Sequence, residues 1–234
     1  MRKKVFCYAL LLLFFIPSKS RAQVDTDQWG SWLMYFYDAT FAEGPWGVQG
    51  DIQYRSWDVI GDLEQLLLRS GLTYAPQGAN IKMTLGYAYI SSGEFGDGDA
   101  TSAESRIYQE ALIPFKVGNR FYFNNRFRYE QRFVDGQDFR TRYRYNLFLN
   151  IPLNNTEIVH KTIYLALYNE IFLNGQRSIG EDRTVEIFDR NRFYAALGYK
   201  FLPNVKGQLG VMLQETDAYG GKPQLQLSIH HSIR

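Results

Sequence analysis

Cysteine is almost absent from this chain of 234 residues: Cys7 is the only one, and it lies at the start of an apolar stretch near the N-terminus. It has no disulfide partner and is not placed like a lipid-bearing cysteine at a cleavage site. Histidine is nearly as scarce, with His160, His230 and His231 the only three, so a zinc site has few ligands to draw on and no metal is expected. Beyond the N-terminal stretch, no segment approaches the roughly 20 apolar residues that a spanning helix needs. Helical periodicity, a low-complexity linker, a phosphate-cradling glycine loop and a nucleophile elbow are also missing. These absences exclude a disulfide-stapled scaffold, a helix-anchored membrane protein and a phosphate-loop nucleotide enzyme, and they imply no cofactor.

The N-terminus reads as a secretory signal peptide. Arg2, Lys3 and Lys4 precede an apolar run from Val5 to Ile16, then come Pro17 and small residues at Ser20 and Ala22. Cleavage after Ala22 would remove five basic residues (Arg2, Lys3, Lys4, Lys19, Arg21) and no acid, turning the net charge of +2 into −3. The basic pI of the whole chain therefore gives no support to a nucleic-acid partner.

What fills the remainder is alternation. Phe121, Phe123, Phe127, Tyr129 and Phe133 alternate with Tyr122, Asn124, Arg126, Arg128, Glu130 and Arg132. Next, Phe139, Thr141, Tyr143, Tyr145, Leu147, Leu149 and Ile151 alternate with Arg140, Arg142, Arg144, Asn146 and Asn150. Successive side chains on a strand point to opposite faces, so each run presents one apolar, aromatic face and one charged face. The pattern predicts an all-β, antiparallel up-and-down transmembrane β-barrel of about ten strands, with twelve as the alternative. The strands fall near 46–57, 63–75, 80–91, 105–116, 120–133, 139–151, 159–173, 188–201, 205–216 and 223–233. The organisation is thus a signal peptide (1–22), an N-terminal segment of open placement (23–45) and the barrel (46–234).

The connections form two alternating sets. Pro76 to Asn80, Val117 to Asn119, Pro152 to Asn155 and Leu202 to Asn204 are short and rich in turn formers. Ser92 to Glu104, Asp135 to Asp138, Gly175 to Glu186 and Asp217 to Lys222 are longer on average and acidic. Outer-membrane barrels have short periplasmic turns and longer external loops, which predicts residence in the bacterial outer membrane with the acidic set outside. The segment Trp29 to Tyr37 breaks this order, because parity puts its N-terminal end outside. It is also apolar on both faces, with Trp29, Leu33 and Tyr35 against Trp32, Met34 and Phe36. It is expected in the lumen, at the rim, or as part of a twelve-stranded wall.

An arginine on the lipid face costs about 2 to 4 kcal/mol at the bilayer midplane, so the charged face is assigned to the lumen. That places Arg55, Arg69, Lys82, Arg106, Arg126, Arg128, Arg132, Arg140, Arg142, Arg144, Arg190, Arg192, Lys200 and Lys206 inside, against four acids: Asp51, Glu110, Glu130 and Glu170. The plain reading is that guanidinium forks pair with these carboxylates and with tyrosines to zip a small barrel shut. The alternative is a site or narrow path for a small anionic ligand, since about ten cations stay unpaired unless loop acids such as Glu94, Asp97, Asp99, Glu104, Asp182 and Glu186 fold inward. Those acids could equally hold divalent cations at a lipopolysaccharide surface. About ten strands leave far less room than an open channel needs, which argues against a general diffusion porin.

Two local groupings carry weaker chemistry. His230 and Ser232 are two apart on one strand face, a spacing found in lipid-modifying barrel enzymes, but no carboxylate nearby in the sequence is an evident orienting partner. Gly93 to Asp99 offers Glu94, Asp97 and Asp99 as oxygen ligands without the spacing of an EF-hand, so an ordinary solvated loop is expected rather than a calcium site.

QWGSW at 28–32, NRFRYEQRF at 125–133, RYRYNLFLNIPL at 142–153, YNEIFLN at 168–174 and FDRNRFYAALGYKF at 188–201 together resemble the bacterial family labelled domain of unknown function 2490. The resemblance implies an outer-membrane barrel with no established activity and carries over no catalytic residue. The C-terminal SIHHSIR departs from barrel proteins in general, lacking the terminal aromatic residue that helps insertion machinery recognise the last strand. The expectation is a monomeric barrel, not an enzyme, embedded in outer-membrane lipid and lipopolysaccharide. A narrow anion-selective pore, an enzyme using His230 and Ser232, and a soluble barrel of lipocalin type are the alternatives. The last would put apolar residues inside and arginines in water.

Overall fold

A computed structural model describes residues 27–42, 44–96, 98–216 and 220–233. The expected signal peptide, with Cys7, lies outside these residues. The wall consists of β1 (Gly30–Thr40), β2 (Trp46–Ser56), β3 (Leu63–Tyr74), β4 (Lys82–Gly93), β5 (Thr101–Val117), β6 (Phe121–Val134), β7 (Arg140–Pro152), β8 (Ile163–Asn174), β9 (Phe188–Leu202), β10 (Val205–Thr216) and β11 (Lys222–Ile233). Neighbours in sequence pair antiparallel all the way round, and β1 closes the ring by pairing parallel with β11.

The count is therefore eleven, neither ten nor twelve. The segment 29–37 is neither a lumen plug nor a rim element but part of the first wall strand, in register from Gly30 against Gln224 to Ala39 against Ile233. An odd number of strands makes one seam parallel, so the two ends of the wall's chain lie at opposite ends of the barrel, as parity requires. The N-terminal end of β1 then lies at the end of the barrel that carries the acidic connections. Its double apolar character also has a reason: Leu33 and Tyr35 are exposed outside, while Trp32 and Met34 join an inner cluster with Tyr164, Ala166, Tyr194, Ala196 and Met212.

The remaining strands start and stop close to the positions read from alternation, with two informative exceptions. The fifth strand begins at Thr101, not near 105. The eighth strand begins at Ile163, not near 159, because residues 153–162 form a ten-residue connection. Thr162 knits that loop, its Oγ1 donating to the Glu157 carbonyl and accepting from the Val159 amide (both 3.1 Å), and Lys161 takes a left-handed φ of 66°. Connections at this end are thus not uniformly short. Their acid content differs more than their length: among the described residues Glu157 is the only acid in the connections here, whereas Asp58, Asp62, Glu94, Asp135, Asp138, Glu181, Asp182 and Glu186 sit in connections at the other end.

The faces divide as charge predicts. Outward positions carry Ile52, Leu72, Leu85, Tyr87, Phe127, Tyr143, Phe193, Leu197, Leu209 and Leu227, all exposed, and inward positions carry the buried arginines and carboxylates. This is the reverse of a lipocalin-type interior. Part of the lumen is nonetheless aromatic, and tyrosines lie flat over glycines on adjacent strands. Tyr108 opposes Gly86, and Tyr164 opposes Gly198; a Cβ at either glycine would run into the ring.

Gly198→Ala is expected to lower stability by about 1–3 kcal/mol through overpacking against Tyr164. Gly220→Ala, where a Cβ meets nothing within 4 Å, should leave it unchanged. Urea unfolding midpoints of the refolded barrel check this, and equal effects at the two positions would contradict the packing assigned to Tyr164.

Candidate functional site: the arginine-lined lumen

β5, β6 and β7 deliver the charge because their inward positions run Glu104, Arg106, Tyr108, Glu110; then Arg126, Arg128, Glu130, Arg132; then Arg140, Arg142, Arg144, Asn146. Cross-strand register sets these rows side by side, with Glu110 opposite Arg128 and Glu130 opposite Arg142. Like charges also face each other, Arg106 against Arg132 and Arg128 against Arg144, an arrangement that needs shared carboxylates to hold it.

Glu130 is the hub. It is 1 % exposed and accepts from Arg142 Nε at 2.9 Å and Nη2 at 2.6 Å, and from Arg144 Nη1 at 2.6 Å. Arg106 and Arg128 each approach it to 3.8 Å. From there the chain of contacts runs through Arg144 to Glu170 (2.6 Å), on to Arg126 (2.7 Å), and by way of Glu110 to Arg128 (2.7 Å). Asp51 takes Arg69 in a two-pronged contact of 2.9 and 3.0 Å. Phe172, buried in the wall of β8, has four guanidinium groups over its ring: Arg142, Arg144, Arg190 and Arg192 at 4.3 to 5.8 Å. Ring quadrupoles add attraction for cations where water is excluded.

All fourteen lumen-ladder residues, Arg55, Arg69, Arg106, Glu110, Arg126, Arg128, Glu130, Arg132, Arg140, Arg142, Arg144, Glu170, Arg190 and Arg192, are buried or half-buried. Three carboxylates beyond the expected four join them, each for a structural reason. Glu104, expected in a loop, lies on β5 because that strand starts at Thr101, and it accepts from Arg106 (2.6 and 2.7 Å) and Arg132 (2.5 and 3.0 Å). Asp189 was invisible to alternation because it precedes the inward Arg190. A register shift leaves it as the extra residue of a β-bulge, and it meets Arg142 at 2.8 Å. Glu64 arises in the same way at a shift between β2 and β3, and it accepts the Trp32 indole N–H at 3.2 Å. For Asp189, a charged residue next to an inward arginine near a strand end was the available signal.

The other cations behave differently. Lys82 pairs with Asp38, and Lys200 donates to the Ile158 carbonyl at 3.1 Å. No carboxylate among the described residues lies within ion-pair distance of Arg55, Arg140 or Arg192. Arg55 instead uses the amide oxygens of Gln53 and Gln65, and Arg192 that of Gln214.

His230 and Ser232 do line one pocket, but His230 Nε2 bonds Ser228 Oγ at 3.1 Å and its ring stacks on Phe36 with centroids 4.7 Å apart. No hydrogen bond joins His230 to Ser232. In the segment 93–99, the Gly96 amide donates to Asp62, and Asp97 lies outside the described residues. Among the described residues no three of His, Cys, Asp and Glu gather as a metal-binding group.

A closed β-barrel whose interior is braced by arginine–carboxylate ion pairs is the class this architecture defines. The chain belongs to the family described as protein of unknown function (DUF2490), which matches residues 29–224. No curated protein matches it.

Breaking a buried ion pair from one side strands the other charge, which costs about 3–5 kcal/mol, whereas an exposed pair is worth less than about 1 kcal/mol. Glu130→Gln is therefore expected to destabilise the barrel severely, and Arg177→Ala, which removes an exposed partner of Glu186, only slightly. Urea titrations of the two variants measure the difference, and a Glu130→Gln loss no larger than that of Arg177→Ala would show that the network does not hold the lumen together.

Proposed function

We propose that this protein is a small, monomeric outer-membrane barrel with a structural and anion-holding role, closed to general diffusion and without catalytic activity. One observation carries the reading: an outward surface of phenylalanine, tyrosine, leucine and isoleucine surrounds a wall whose charges turn inward, apart from the exposed Glu215 beside the acidic end of β10. Soluble monomers rarely expose contiguous apolar patches beyond a few hundred Å², so a surface of this kind calls for hydrocarbon around it. Aromatic pairs at both ends of the wall, Trp46 with Tyr74 and Phe115 with Phe123 at one, Phe133 with Phe139 at the other, suit the two interfacial girdles of such barrels. The acidic connections would then face outward, beside lipopolysaccharide and its divalent cations, and the opposite end the periplasm.

Closure follows from the ion pairs, which link β5 through β9 across the interior instead of leaving a water column. An anion-selective pore would need that lattice to open. The lattice still carries more cations than carboxylates, and this surplus supports the anion-holding role.

The mature chain is expected in the membrane fraction, released by detergent and not by salt. Leu85→Arg, at an exposed mid-strand position, should destabilise the barrel in lipid vesicles by about 2–4 kcal/mol. Recovery from the soluble periplasm without detergent would overturn the reading. In planar bilayers no stepwise conductance is expected from the wild type; anion-selective steps that change with Arg128→Ala and Arg142→Ala would establish the pore instead.

A further inference from the structure

Toward the end of the lumen that carries the acidic connections lies a partly enclosed cavity of about 190 Å³. Eight of its lining side chains are arginines, and one, Glu104, is a carboxylate. Six of the eight have a carboxylate within ion-pair distance. Arg55 and Arg192 do not, although they are only 5 % and 6 % exposed. Both guanidinium groups lie over the ring of Trp32, at 3.7 and 4.7 Å from its centroid. The nearby Glu64 accepts the Trp32 indole N–H and is beyond ion-pair distance of Arg55. Arg55 is held in place by Gln53 and Gln65. Arg192 spends only Nε, on Gln214 at 2.8 Å, and both its terminal nitrogens have no hydrogen-bond partner among the described residues.

A buried cation without a counter-charge is expensive, and two of them on one ring within one cavity are more so. A dianion would neutralise both. We propose that this cavity binds a phosphate group, with Arg192 and Arg55 as its principal ligands beside Trp32. The planar guanidinium fork matches two oxygens of a tetrahedral oxyanion at once, which a lysine cannot do. The volume admits such a group with attendant water. The position, next to the connections, allows the phosphate to be a free ion or the head of a larger phosphomonoester. The proposal deepens the anion-holding role above but does not depend on membrane residence.

The test uses the mature barrel refolded in an uncharged maltoside detergent, in phosphate-free, low-salt buffer. Titration with inorganic phosphate is expected to show saturable heat, a rise in melting temperature and a change in tryptophan emission. Arg192→Gln and Arg55→Gln should each weaken binding at least tenfold, and Arg192→Lys should fall between wild type and Arg192→Gln. Without phosphate, Arg192→Gln should melt no lower than wild type, because it removes an uncompensated charge. Trp32→Phe should keep the heat and lose the emission change. Tighter binding of hexyl phosphate than of inorganic phosphate assigns the site to a phosphomonoester head; binding of the inorganic ion alone assigns it to free phosphate. Absence of binding to wild-type protein that shows the heat-modifiable gel mobility of a folded barrel overturns the proposal, as does equal binding by folded Arg192→Gln. Either result leaves the membrane reading standing, and recovery of the chain from the soluble periplasm would sink that reading alone.

Discussion

Desolvated guanidinium charge governs this molecule. A closed eleven-stranded wall keeps bulk water from most of its interior, and a row of arginines placed there has to find compensation from carboxylates, amide oxygens or aromatic faces. Glu130, Glu170, Glu110 and Glu104 each serve two or more arginines, so the cations are spaced by shared anions and not by solvent. These pairs are weak evidence of net stability, because desolvation offsets much of the Coulomb attraction. What they supply is a penalty for any other register: slipping one strand by a single residue would send its arginines outward and leave the partner carboxylates buried alone.

The same constraint connects the fold to the proposed site. Carboxylates are shared most densely where β5, β6 and β7 lie together, Arg140 aside, and none is within ion-pair distance where Arg55 on β2 and Arg192 on β9 converge on Trp32 of β1. These two strands are far apart in the antiparallel order and meet only because β1 and β11 close the ring with a parallel seam. The odd strand thus does more than complete the wall. Its inward Trp32 brings an indole, which needs only one acceptor and takes it from Glu64, to the place where two cations meet.

Much of this was legible from alternation alone. Period-two patterning located ten strands within a few residues, and the cost of an arginine in hydrocarbon assigned the inward face, because both signals are local and repeat along the chain. The first strand escaped because its neighbours on both faces are apolar, so alternation of polarity had nothing to register. Asp189 and Glu64 escaped because β-bulges break the period at their positions, and Glu104 because a strand end is not marked by composition.

The sequence by itself determined that there would be a β-wall with charge on one face and aromatic groups on the other, since side-chain direction on a strand is fixed by the backbone and needs no partner to be known. Only the tertiary structure decided how many strands close it, which carboxylate each arginine meets and which arginines meet none. Those depend on register, bulges and the angle at which distant strands converge, and such quantities exist only once the sheet has closed on itself.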